Sequence, residues 1–139
     1  MGRNAGCTYI IKETANRSRL DSFAKIGDEE IGHASVTLSD STLTIVMWVV
    51  DKRFRNTGIG RELLRILIKM AYDKIGSLEK VLYDWNGVNP YVLEWMERNF
   101  DAKCTEDIAV KKYDFSDSWD AHEYRLNPEL VLRYFGVRQ

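Results

Sequence analysis

The first fifty residues carry a strand-like pattern. TYIIKE (8–13), RLDSFAKIG (about 19–27), EIGHASVTL (about 30–38) and TLTIVMWVV (about 42–50) are rich in β-branched and aromatic residues, and the polar stretches TANRSR, GDEE and SDS separate them. This spacing predicts an antiparallel meander. TANRSR is too short to hold a packed helix. The fourth run is almost wholly apolar, which predicts a central strand covered on both faces.

The period then changes. From Gly58 to about Lys74 the apolar positions fall at Ile59, Leu63, Ile66, Leu67, Met70 and Ala71, a helical stripe that Gly76 and Ser77 close. KVLYDW, about 80–85, reads as another buried strand. Asn89 is placed to cap a helix and Pro90 suits its first position, so NPYVLEWMERNF predicts a helix of about three turns. AKCTEDIAVKKYDF and WDAHEYRL predict a closing hairpin, and PELVLRYF a short last helix. At 139 residues and 45% hydrophobic content, one domain with its own core is expected, without repeats or linkers.

Composition removes several classes of function. No apolar run reaches the length of a bilayer span and MGRNAGCTYIIKE lacks a secretory-signal pattern, so a soluble, cytoplasmic protein is expected. Cys7 and Cys104 form no CxxC pair, and His33 and His122 have no carboxylate cluster at ligand spacing, so neither a metal site nor a disulfide framework is indicated. The net charge of −1 hides an asymmetry. Residues 51–70 hold six bases against two acids, whereas residues 79–123 hold eleven acids against five bases. That division suggests an anionic ligand at one end and a cationic one at the other. No basic stripe with interleaved aromatics points to nucleic acid.

The basic segment ends in RFRNTGIGRELL, residues 53–64, where two glycines stand between a strand and a helix. Bare backbone, unpaired first-turn amides and the helix dipole together suit a phosphate. GIGREL resembles the start of a dinucleotide fingerprint, but Leu63 occupies the third glycine position. Seven residues, DKRFRNT, also separate the strand from Gly58, and the preceding antiparallel strands oppose a doubly wound sheet. No GK[ST] follows, so a Walker loop fails as well.

VDKRFRNTGIGRELL, residues 50–64, resembles the acyl-CoA-binding motif of the GNAT superfamily of N-acetyltransferases, with Arg55-Asn56-Thr57-Gly58-Ile59-Gly60 as its Arg-x-x-Gly-x-Gly core. The order of elements agrees over most of the chain. The resemblance implies an α+β fold: a mostly antiparallel sheet with a V-shaped splay, flanked by helices. It also implies acetyl-CoA as cofactor and a small-molecule or peptide amine as acceptor. On it, the backbone from Arg55 to Arg61 would cradle the pyrophosphate, Asn56 or Thr57 would add a side-chain donor, and Trp48, Val49 and Val50 would hold the pantetheine arm by their backbone. Asn86 and Asn89 complete the candidate cofactor residues. LYDWN, 82–86, followed by a helix, is similar to diamine acetyltransferases of the same superfamily.

Two departures matter. The helix pair that many members carry between the first two strands has no room here, so the acceptor wall is left open or supplied by a partner chain of a homodimer. In the following helix, aligning EWMERNF on the family's FYEKxGF pattern puts Trp95 where a proton-donating Tyr is expected. Trp donates a hydrogen bond but gives up no proton, so Tyr91, one turn earlier, is the candidate acid. For the base, the central strand offers no carboxylate; Asp84 and His33 are the candidates, with Asp84, Trp85 and Trp95 placed toward the acceptor. The acidic second half suggests a cationic amine such as a polyamine, a lysine or an aminoglycoside. The alternative is a GNAT-like domain that binds CoA or a protein partner without efficient catalysis.

Overall fold

The computed structural model describes residues 6–14, 18–85, 90–104 and 122–137, with only the backbone described at Trp85, Pro90, Tyr91, Cys104 and His122. The elements are β1 (Cys7–Glu13), β2 (Arg19–Ile26), β3 (Glu29–Ser39), β4 (Thr42–Val50), α1 (Ile59–Ile75), β5 (Lys80–Trp85), α2 (Pro90–Phe100), β6 (Lys103–Cys104), β7 (His122–Leu126) and α3 (Pro128–Tyr134). They form one mixed sheet in the order β1-β2-β3-β4-β5-β7-β6. β1 to β4 make the expected meander, each pair antiparallel. β4 and β5 are parallel, with α1 as the crossover between them. Most of the predicted closing hairpin, 105–121, lies outside the described residues.

Local chemistry explains these boundaries. Gly27 and Asp40 take positive φ in the tight turns after β2 and β3. Helix α1 is bounded by Gly58 and Gly76, both left-handed, and the N–H of Gly76 returns to the carbonyl of Tyr72. Its apolar stripe, Ile59, Leu63, Leu64, Leu67, Ile68 and Ala71, is fully buried. That stripe seats on β2, β3 and β4. The Ser22 hydroxyl donates to the Leu63 carbonyl at 2.9 Å, and a Cβ on Gly32 of β3 would stand only 2.8 Å from Leu63 Cδ1. Gly32 therefore lets the helix approach the sheet closely. The last helix starts at Asn127, whose side chain accepts from the Leu130 N–H, with Pro128 next in line.

The three described helices lie on the same face of the sheet. Trp48 of β4 reaches α1 on that face and stands 5.9 Å from Trp95 of α2, which in turn packs edge-on against Tyr134 of α3. Among the described residues no helix lies on the other face. Five residues, 14–18, join β1 to β2, and Glu13 already pairs with Leu20 across that connection.

The central strand therefore departs from the expectation of cover on both sides. Leu43 and Ile45 are buried, yet Met47 is 40% and Val49 56% exposed. Two features produce this. The register steps between Ile45 and Met47, where Val46 is an extra residue opposite the Ser35–Val36 pair of β3, so the helix-facing positions shift from Leu43 and Ile45 to Trp48 and Val50. The alternate positions then face the side that lacks a helix.

Candidate functional site

Parallel pairing of β4 with β5 runs only from Thr42–Lys80 to Ile45–Tyr83. Beyond it the strands part, and among the described residues the edge of β4 past the bulge has no strand beside it. This is the expected splay. A cleft of about 820 Å³ opens there, bounded by Val46, Met47, Trp48, Val49 and Val50 of β4 and by Tyr83 and Asp84 of β5. Its far end is the turn after β4, with Phe54, Arg55, Asn56, Gly58, Gly60 and Arg61. Val92 of α2 and Tyr134 of α3 complete the wall.

The turn is built by its own carboxylate. Asp51 accepts from the backbone N–H of Arg53 at 2.9 Å and starts a short 3-10 turn over Lys52–Phe54. Hydrogen bonds from the Arg53 guanidinium and backbone hold its carboxyl down at about 2. Asn56 and Gly58 then adopt positive φ, 62° and 90°, and helix α1 begins. Its first internal bond runs from the Glu62 N–H to the Gly58 carbonyl, so the amides before Glu62 have no partner within the helix. These amides, Arg55 and Arg61 are what the site presents to an anion.

Several predicted roles change here. Of the six bases in 51–70, Arg55 and Arg61 line the cleft, whereas Arg53 is committed to Asp51 and Glu29, Arg65 to Glu62 and Lys69 to Asp73. The Thr57 hydroxyl donates back to the Phe54 carbonyl, so it is not the free side-chain donor expected of it. The Ile59 side chain is buried in the core, leaving its amide alone for a ligand. Gly60 is bare for the strand's sake: a Cβ there would meet Val50 Cγ2 at 3.1 Å and Trp48 Nε1 at 3.5 Å. Trp95 does not border the cleft; it packs behind Trp48 against Phe100 and Tyr134.

The catalytic candidates separate as well. Asp84 is exposed and borders the cleft, and its cross-strand neighbour on β7 is Glu123. Adjacent Tyr83 also lines the cleft; burial, then the charge of Asp84, pushes its phenol up to about 12, so it keeps its proton at neutral pH. His33 lies apart, on the uncovered face beside a smaller cavity of about 300 Å³ that also touches Val49 and Asp51. There it bonds Asp21 at 2.8 Å and stacks on Phe23 with ring centroids 4.3 Å apart. Burial opposes the Asp21 charge, but hydrogen bonds from His33 and Arg19 outweigh it and lower the carboxyl below its ordinary value. The side chains of Tyr91 and Trp85, and all of Asn86 and Asn89, lie outside the described residues.

The sequence pattern of the acetyltransferase (GNAT) family matches residues 5–101 of the 139. The chain belongs to the GNAT family. Among solved structures, this GNAT chain shares its fold with IAA acetyltransferase from Bacillus cereus ATCC 14579, at 15% identity over 86% of this chain and 98% of that one, with a TM-score of 0.59. Ard1 from Thermoplasma volcanium is 18% identical over 80% of this chain and 70% of its own, also at 0.59. PaiA N-acetyltransferase from Thermoplasma acidophilum, solved in complex with coenzyme A, is 16% identical over 81% of this chain and 63% of its own, at 0.59. At such identities the likeness is one of fold. No protein of curated function matches the sequence. Within the GNAT framework the sequence reading missed Tyr134: the capped PELVLRY helix was legible, but nothing local showed that it returns to the cleft.

Proposed function

We propose that this GNAT enzyme moves an acetyl group from acetyl-CoA to a primary amine by direct attack, and that its acceptor is cationic. The observation that carries the reading is the cleft itself. It joins a cationic, amide-rich turn at Arg55–Arg61 to Asp84 of β5, passing an edge of β4 that has no strand beside it among the described residues. The fit to the cofactor is chemical: the first-turn amides and two arginines suit a pyrophosphate, and the free strand edge suits a chain of amides. When bound, acetyl-CoA supplies an activated thioester.

The protein's part is positioning and proton transfer. An amine attacks only when neutral, and Asp84, which borders the cleft, is the proposed base that takes its proton, directly or through water. Its charge would also draw an ammonium to the cleft. The proton that returns to the leaving thiolate comes from a phenol, and two are proposed: Tyr91, from the sequence, and Tyr134, which borders the cleft. Comparing Tyr91→Phe with Tyr134→Phe assigns the donor, since only the donor's loss lowers turnover without weakening acetyl-CoA binding. The missing helix pair leaves the acceptor wall to a second copy of the chain or to solvent.

Calorimetry with acetyl-CoA tests the first half; no heat at millimolar ligand removes the reading. A thiol-release assay over polyamines, lysine peptides and aminoglycosides tests the second. Release with cationic amines, reduced roughly ten- to hundredfold in kcat/KM by Asp84→Asn, is expected. Silence across the panel with CoA binding intact selects a CoA-binding domain without catalysis.

A further inference from the structure

We infer that the indole of Trp48 is a positioning group for the phosphate-binding turn, acting through the peptide between Gly60 and Arg61. The inference rests on the acetyl-CoA reading above and adds a side-chain role to a residue whose backbone alone was assigned. Trp48 Nε1 donates to the Gly60 carbonyl oxygen at 2.8 Å, across the gap between β4 and α1. That carbonyl and the Arg61 N–H belong to one planar peptide and point in opposite directions. In the helix that carbonyl points toward the C-terminal end and the Arg61 N–H toward the open N-terminal end, so the indole, reaching the oxygen from the strand, adds an anchor to the peptide that presents this N–H. This amide is one of those without an intrahelical partner.

The Arg61 side chain is tied separately: its guanidinium donates to the Tyr134 carbonyl at 3.2 Å and lies over the Tyr134 ring at 5.1 Å. The indole is itself packed against Trp95. Strand β4, which borders the cleft with Trp48, is thereby tied to the turn that would hold the pyrophosphate. A bond that is the same before and during acyl transfer affects binding rather than turnover.

Trp48→Phe keeps an aromatic ring against Trp95 and removes the donor. Steady-state kinetics should show KM for acetyl-CoA raised about tenfold with kcat within twofold, and calorimetry with CoA a matching loss. The indole emission change on adding CoA should shrink in Trp48→Phe. An unchanged KM or a fall in kcat alone would overturn the inference. A melting temperature lowered with KM unchanged would make Trp48 a packing residue only. If wild-type protein binds no CoA, the acetyl-CoA reading itself falls, an outcome distinct from wild-type binding with an unaffected variant.

Discussion

The two faces of the sheet carry different work. On the helix-covered face, α1 presses a fully buried stripe onto β2, β3 and β4, and the start of α1 meets Trp48 and Val50 below it and Tyr134 beside it. On the opposite face, cross-strand neighbours Ile10, Phe23, His33 and Val49 form a row in which Ile10 is 38% and Val49 56% exposed. The proposed donor end of the cleft is thus tied to core packing. The rest of the cleft opens toward a surface that this chain leaves bare among its described residues. On the proposed reading, a compact core specifies the acyl donor and the acceptor is met at the surface.

The largest effect that would break this contrast lies in the core. Leu67→Ala should lose about 2–5 kcal/mol in denaturant unfolding, because a wholly buried side chain leaves a cavity that α1 cannot close. Next, Gly58→Val should weaken CoA binding about a hundredfold by calorimetry, since φ of 90° is closed to a β-branched residue and the turn must rebuild. Unchanged affinity would detach the turn from the cofactor.

Smaller effects belong to the open face. Asp21 has a lowered pKa when folded, so it binds its proton more readily when unfolded. Its stabilisation is present above the ordinary value of 3.8 and is lost as pH falls through the folded value. Asp21→Asn should therefore reduce stability by under about 1 kcal/mol at pH near 7, with the gap closing below 3.8 in paired urea titrations. Smallest of all, Val49→Thr should change stability by no more than about 0.5 kcal/mol. A larger loss, or a shift in sedimentation, would mean that this face is covered in solution.

Much of the fold was legible because it is locally written. The four strands, helix α1 between its glycines, and the Asn127–Pro128 start of α3 each follow from spacing and caps within a few residues. The motif from Arg55 to Gly60 was legible for the same reason, and the turn it marks does border the cleft. What escaped depends on distant partners. Exposure of Met47 and Val49 reflects a bulge and a missing layer, neither of which changes the hydrophobicity of TLTIVMWVV. Arg53 resembles a ligand residue until Glu29, 24 positions earlier, claims it. Gly60 reads as room for phosphate, yet the structure crowds it from the strand, and Tyr134 enters the cleft by tertiary packing alone.

The extra residue at Val46 acts as a frameshift in the sheet. Upstream of it odd-numbered side chains are read by the core; downstream, even-numbered ones are, so the bulge keeps Leu43, Ile45 and Trp48 on one face despite the extra residue. Flattening the bulge with Val46 retained would restore simple alternation and send the indole to the bare face, one strand thickness from the carbonyl it now holds. The bulge between Ile45 and Met47 is thus as much a part of the site as any side chain lining it.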